Sequence, residues 1–141
     1  MAISKEKLLA ELNKDLEWEY AAAIQYIQHA SAMKGAQYDS IIEELIVHSQ
    51  EEMEHAMMLS AQIDFLGGIP TVDVEKRETS KNSLKMLNQD LASEELAINR
   101  YKERISQAEE RREYGLRRIL EDILIQEEEH KRDLLTVVGS R

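Results

Sequence analysis

The sequence predicts an all-α domain: a four-helix bundle of two helical hairpins joined by one long crossover, with an internal pseudo-twofold repeat. Three observations predict it. Helix-forming residues dominate, and the only proline, Pro70, stands beside Gly67 and Gly68 near the middle of the 141 residues. Apolar residues recur at spacings of three and four on both sides of that break. The chain also repeats itself at an offset of 75 residues, the distance from Glu52 to Glu127. At that offset Asn13, Asp15, Leu16, Glu19, Ala22 and Tyr26 fall on Asn88, Asp90, Leu91, Glu94, Ala97 and Tyr101, and Glu52-Met-Glu-His55 falls on Glu127-Glu-Glu-His130.

Ser4 is the expected N-cap of a first helix, which turns Leu8, Leu9, Leu12, Leu16, Ala23, Tyr26, Ile27, Ala30 and Met33 inward and ends at Gly35. A second helix begins near Asp39, carries Ile41, Leu45, Glu52, His55, Leu59, Ile63 and Leu66 on one face, and stops at Gly67-Gly68-Ile69-Pro70. A third runs from about Ser83 to Glu109 with Leu84, Leu87, Leu91, Glu94, Ile98, Tyr101 and Ile105 inward. The fourth starts near Glu113, turns Leu116, Leu120, Ile123, Glu127, His130, Leu134 and Val137 inward, and fades at Gly139. Gly115 near its start costs that helix about 1 kcal/mol relative to alanine. The expected organisation is one domain over 1–141, with a hairpin at 4–66, a crossover at 67–82 and a hairpin at 83–138. A crossover of that size, extended, reaches about 50 Å. A helix of roughly 28 residues is about 42 Å long, so the crossover can run the bundle from end to end and set the second and third helices parallel.

Bulk composition narrows the function. A net charge of −10 argues against a phosphate-binding surface and hence against nucleic acid as a partner. There is no cysteine, which excludes thiolate iron–sulfur and zinc-finger sites and fits a reducing, cytoplasmic setting. No apolar run approaches the roughly 18 residues of a membrane span, so no membrane partner is expected.

Six polar residues interrupt the inward stripes. Glu52 with His55, and Glu127 with His130, lie three apart, so each pair leaves one face of a helix and can reach one ion. A single Glu-x-x-His in so acidic a chain more often decorates a solvated face, but these two sit between Leu45 and Leu59 and between Ile123 and Leu134. Glu19 and Glu94 interrupt the stripes of the other two helices. Burying four unpaired carboxylates would cost roughly several kcal/mol each. Two divalent cations balance four carboxylates and two neutral imidazoles. Oxygen-rich donors with one imidazole per metal suit iron or manganese, although zinc binds the same set. One Glu from each of two helices with a Glu-x-x-His from each of the others is the known arrangement of ferritin-like dimetal proteins, so the pattern is recognised here, not predicted afresh.

On those residues the chain resembles the ferritin-like superfamily, and bacterioferritin most closely within it. Glu19-Tyr-Ala-Ala-Ala-Ile-Gln-Tyr26, Glu52-Met-Glu-His55, Asp90-Leu-Ala-Ser-Glu94 and Glu127-Glu-Glu-His130 are similar to the bacterioferritin motifs of four successive helices. The resemblance implies two iron ions, with Glu52 and Glu127 bridging them, and Glu19 with His55 and Glu94 with His130 as terminal ligands. It implies a ferroxidase that oxidises Fe(II) with dioxygen or peroxide. The alternatives are a rubrerythrin-like peroxidase fed by an external reductant, an iron-storage subunit of a larger shell, and a structural bundle stabilised by zinc. Rubrerythrin carries a further Glu where this chain has Ala97, and a cysteine-ligated domain with no counterpart here. Met53 matches the bacterioferritin haem ligand, donated by two subunits to one shared haem; a packing methionine is the other reading. A second apolar stripe on the second helix, Ile42, Ile46, Met53 and Met57, corresponds to Arg117, Glu121, Glu128 and Arg132 on the fourth, which points to a homodimer. The fifth helix associated with the 24-subunit bacterioferritin shell has no counterpart before Arg141, so a homodimer, or a higher homo-oligomer smaller than that shell, is expected.

Further residues carry weaker expectations. Tyr26 and Tyr101, seven after a ligand Glu, can reach carboxylates ligated from a neighbouring helix, or are simply core tyrosines with a partner. Asp15 and Asp90 are either acceptors that orient an imidazole or charges in solvent. His48 falls one turn before Glu52, as an accessory ligand or gate, or as a hydrogen-bonded core histidine. His29 lies off the inward stripe and is expected at the surface. Trp18 is expected at an interface, away from Glu19.

Overall fold

The computed structural model describes residues 2–139. Its elements are α1 (Lys5–Ala32), α2 (Asp39–Phe65), α3 (Ser83–Glu110) and α4 (Tyr114–Val138), and no strand occurs among the described residues. Ser4 accepts a hydrogen bond from the Lys7 amide at 3.1 Å and Asn82 accepts one from the Lys85 amide at 2.8 Å, so α1 and α3 start from side-chain caps. The α1–α2 turn passes through Gly35 at φ 116°, a conformation that a Cβ disfavours. The α3–α4 turn uses Arg112 at φ 59°, and the Glu113 amide closes it on the Ala108 carbonyl at 2.9 Å.

α1 packs against α2 and α3 against α4, and the two hairpins meet through α1 on α3 and α2 on α4. The crossover climbs the flank of α1. Asn13 clasps its start, donating to the Ile69 carbonyl at 3.0 Å and accepting from the Thr71 amide at 2.8 Å. Lys14 pairs with Glu75 at 2.6 Å, Gln25 donates to the Glu78 carbonyl at 3.1 Å, and the Lys34 amide reaches Ser83 at 3.0 Å. The crossover contacts therefore advance from Asn13 to Gln25 along α1, and the start of α3 meets Lys34 just past the end of α1, which fixes α2 and α3 as parallel.

Two apolar clusters fill the bundle. One gathers Leu8, Leu12 and Leu16 with Leu59, Ile63, Leu116 and Leu120; the other gathers Tyr26, Met33, Ile41, Leu45, Met86, Leu87 and Leu134. Every helix contributes to both, and the segment of each helix between its two contributions holds the buried Glu19, Glu52 with His55, Glu94, or Glu127 with His130. Three positions expected inward are exposed. Ile27 lies on the flank of α1, while Leu84 and Val137 sit in terminal turns. Leu9 and Ile105 are half-buried.

A Cβ added at Gly115 meets nothing within 4 Å. Gly115→Ala should therefore stabilise the protein by about 0.5–1 kcal/mol, read as a higher denaturant midpoint at unchanged slope; an unchanged midpoint would contradict that placement.

Candidate metal centre

Helical geometry builds the centre from four directions. Glu19 and Glu94 project from α1 and α3, and the i, i+3 pairs of α2 and α4 present a carboxylate and an imidazole together; all six side chains are at most 2% exposed. Nδ1 of His55 lies 3.4 Å from both Glu19 Oε2 and Glu52 Oε1 and 3.5 Å from Glu127 Oε1. Nδ1 of His130 lies 3.1 Å from Glu94 Oε2, 3.2 Å from Glu52 Oε1 and 3.3 Å from Glu127 Oε1. Two donors each about 2.0–2.2 Å from one cation stand roughly 3.0–3.5 Å apart, so these separations are those of atoms able to share an ion. Two overlapping groups result, Glu19, Glu52, His55 and Glu127, and Glu52, Glu94, Glu127 and His130, with Glu52 and Glu127 common to both. Glu19 Oε2, Glu52 Oε1, His55 Nδ1 and both Glu127 oxygens are buried without a hydrogen-bond partner among the described residues. Orphaned acceptors converging on one point are what a cation would satisfy.

The surrounding hydrogen bonds are paired across the repeat. Tyr26 donates to Glu94 and Tyr101 to Glu19, each from the helix opposite its carboxylate. Burial, and then the neighbouring carboxylates, hold both phenols well above their ordinary range, so they stay protonated donors. The outer imidazole nitrogens are also held: His130 Nε2 lies 2.9 Å from Glu51 Oε1, His55 Nε2 lies 2.5 Å from Gln126 Oε1, and Gln126 Nε2 donates to Glu51 Oε2 at 3.1 Å. This chain orients both rings with Nδ1 toward the centre. Glu51 and Gln126 escaped the sequence reading, although each directly precedes the repeated Glu and both obey the 75-residue offset.

Other expectations need correction. Asp15 and Asp90 do not orient these imidazoles. Asp15 pairs with the buried Arg104 and with Arg100, both at 2.7 Å, and Asp90 receives His29 Nδ1 at 2.9 Å. His29 is thus buried, not a surface residue, and across the offset it occupies the place of Arg104: each repeat supplies one nitrogen partner for the other repeat's aspartate. Trp18 does not turn away from Glu19. With Ala22, Ala97 and Arg100 it lines a narrow pocket between α1 and α3 that descends to Glu19, Glu52, Glu94 and Glu127 and has a volume of about 10 Å³, room for one water. The Trp18 ring lies 5.2 Å below the Arg77 guanidinium of the crossover. His48 is buried one turn before Glu52, and Met53 is exposed on the outer face of α2.

Electrostatics follow from burial. Burial, then repulsion from neighbouring carboxylates, pushes Glu52 and Glu127 well above the usual carboxylate range. Burial alone would lower His55, but Glu19 and Glu127 outweigh it and raise the ring to about 9; Glu127, Glu52 and Glu94 raise His130 further against the same burial. Without a cation the cluster therefore holds protons.

A bundle with this donor set at its waist has the architecture of helical dimetal-carboxylate proteins. The chain belongs to the ferritin family: the family model described as "Ferritin-like domain" matches residues 9–140. It is 29% identical to the "Nutrient stress-induced DNA-binding protein" of Nostoc sp. over 77% of this chain and 65% of that one, so it spans less than two thirds of that relative. It is 28% identical to the "Bacterioferritin" of Mycobacterium leprae over 87% of this chain and 78% of that one. A ferritin-like, diiron-carboxylate protein of Bacillus anthracis superposes with a TM-score of 0.92 at 29% identity, covering 98% of this chain and 99% of that chain. The dodecameric thioferritin of Bacteroides fragilis, described as bacterioferritin-related, superposes at 0.90 with 30% identity, covering 97% and 87%.

Because the metal-free centre holds protons on its imidazoles near neutrality, metal and protons compete. Anaerobic loading with Fe(II) at pH 7 should release about two protons or more per chain, measured by calorimetry in buffers of different ionisation enthalpy. By the same sign, raised imidazoles stabilise the metal-free fold below pH 6.5, and that contribution fades as pH rises through about 9. Uptake without proton release would contradict binding at these side chains.

Proposed function

We propose that the chain takes two Fe(II) as substrate into the buried centre and oxidises them with dioxygen or peroxide, as a ferroxidase of bacterioferritin type. The observation that carries this reading is the overlap of the two donor groups through Glu52 and Glu127. In it those two carboxylates span both ions, Glu19 with His55 completes one set, and Glu94 with His130 the other. Two Fe(II) surrender two electrons, which with two protons convert dioxygen to hydrogen peroxide or peroxide to two waters. The protein supplies position and charge and no nucleophile: Tyr26 and Tyr101 steady the terminal carboxylates, Glu51 and Gln126 aim the rings, and the pocket beside Trp18 admits a small oxidant. Manganese and zinc fit the same donors and would compete.

Iron storage in a larger assembly is the second reading, and the surface of α2 favours some assembly. Ile46, Met53 and Met57 are exposed there, 46–66% open, with Ile24 and Ile27 exposed on α1. A homodimer through this face accounts for an apolar stripe whose α4 counterpart is charged, and the Bacteroides relative named above is a dodecamer. Haem between two copies of Met53 is a narrower form of the same proposal. A cytoplasmic protein without nucleic-acid or membrane partners fits the charge of −10, and no helix of the described residues is long and apolar enough to cross a membrane.

Sharing makes the ligands unequal. Metal-free protein should bind about two Fe(II) per chain in the centre under anaerobic conditions. Glu127→Ala should weaken both, and Glu94→Ala only one. On adding oxygen, stopped-flow absorbance should show rapid oxidation in wild type and at least roughly a hundredfold loss in Glu127→Ala. Equal effects of the two substitutions, or one Fe(II) in the wild-type centre, would sink the shared arrangement. Oxidation running to many tens of soluble irons per chain would mark storage, and resumption only on adding a reductant would mark a peroxidase cycle. Met57→Lys should lower the mass seen by sedimentation; an unchanged mass would remove the α2 face as an interface.

A further inference from the structure

One face of the bundle breaks the internal repeat in a chemically coherent way. On α2 and α4, Glu44, His48 and Asp133 each offer a ligand atom, all within 4.8 Å of one another. Across the 75-residue offset the same positions are Ile119, Ile123 and Met58. Ile123 is fully buried, and Ile119 and Met58 pack against the apolar cluster at the other end of the bundle. Helix packing at these positions therefore needs only apolar side chains. At one end of the molecule an imidazole and two carboxylates replace them together.

The replacement is not a solvated decoration. His48 is 1% exposed, and its ring stacks on His130 with centroids 4.0 Å apart and planes 24° from parallel. Its Nε2 lies 3.1 Å from Asp133 Oδ2, whose side chain is 44% exposed, and Glu44 is exposed as well. The His48 Nε2–H donates to Asp133, and Nδ1 is buried without a partner among the described residues, so a proton moved to Nδ1 turns the Nε2 lone pair toward a cation that Asp133 shares. If Asp133 merely anchored His48, the repeat would give no reason for Glu44 to replace an isoleucine alongside it.

We infer that Glu44, His48 and Asp133 form a third cation site, taking a divalent first-row metal ion on the solvent side of His130. One imidazole and two carboxylates leave coordination positions to water, the donor set of an exchangeable site. It lies on the α2–α4 face, whereas the pocket beside Trp18 opens between α1 and α3. Metal and oxidant would thus approach from opposite sides. As a staging point for Fe(II) this site rests on the function proposed above; as a metal site it stands alone.

Zinc separates the two claims because it binds without turnover. Metal-free protein dialysed against Zn(II) should retain about three ions per chain by elemental analysis, and Asp133→Asn or Glu44→Gln about two, with the third equivalent weakened at least roughly tenfold. Both variants alter exposed side chains, and circular dichroism checks their fold. Glu127→Ala should keep the third equivalent and lose it only when Asp133→Asn is added. Wild type holding two ions that neither variant changes, or a third ion that survives both variants, would overturn the inference. Wild type holding a single zinc that Asp133→Asn removes would instead support this site and sink the dinuclear reading.

Discussion

Four carboxylates meet in the buried middle of a helical bundle, and nearly everything else in the structure answers that constraint. Mutual repulsion and lost hydration make such a cluster strongly unfavourable until positive charge enters it, either as protons or as cations. The fold holds it between two apolar clusters that every helix helps to build. With the centre at the waist, the helices cannot spread to let water in without opening both clusters. The cluster thus selects its own counter-charge.

The internal repeat extends well beyond the centre. Tyrosine to opposite glutamate, outer imidazole nitrogen to the residue before the shared glutamate, and aspartate to a buried side-chain nitrogen are each made twice, once per half. The departures are therefore informative. Glu51 faces Gln126, which lets one amide bridge what two carboxylates would repel. His29 takes the place of Arg104, so one buried aspartate is held by a guanidinium and the other by an imidazole. Across the offset Glu44, His48 and Asp133 fall on apolar residues, and Ile46, Met53 and Met57 fall on charged residues of α4. Symmetry is kept around the four carboxylates and abandoned on the outer faces of the bundle.

The helices, the crossover and the convergence of six donors were legible because buried polar residues stand out against an apolar period, and because identical residues recur at a fixed offset. What escaped was chemistry without identity. Matching letter to letter pairs Asp15 with Asp90 but passes over His29 and Arg104, whose roles agree while their names differ. Glu51 and Gln126 sit at the edge of the inward stripe, where glutamate and glutamine are ordinary solvated residues, and only their reach toward the ring nitrogens distinguishes them. Ile27, Leu84 and Val137 have the right period, but a spacing of three and four does not say how wide a stripe the neighbouring helices cover. Trp18 is adjacent to Glu19 in sequence and so leaves α1 about 100° around the helix; its long ring nevertheless folds over the gap toward α3, which no helical wheel displays.

Anomalous diffraction from crystals loaded anaerobically with Mn(II), redox-stable yet suited to the same oxygen-rich donors, tests the charge-compensation claim most directly. Two peaks between Glu52 and Glu127, roughly 3.5–4 Å apart, one beside His55 and the other beside His130, are the predicted result. A single central peak, or manganese bound only outside the four carboxylates, would contradict it.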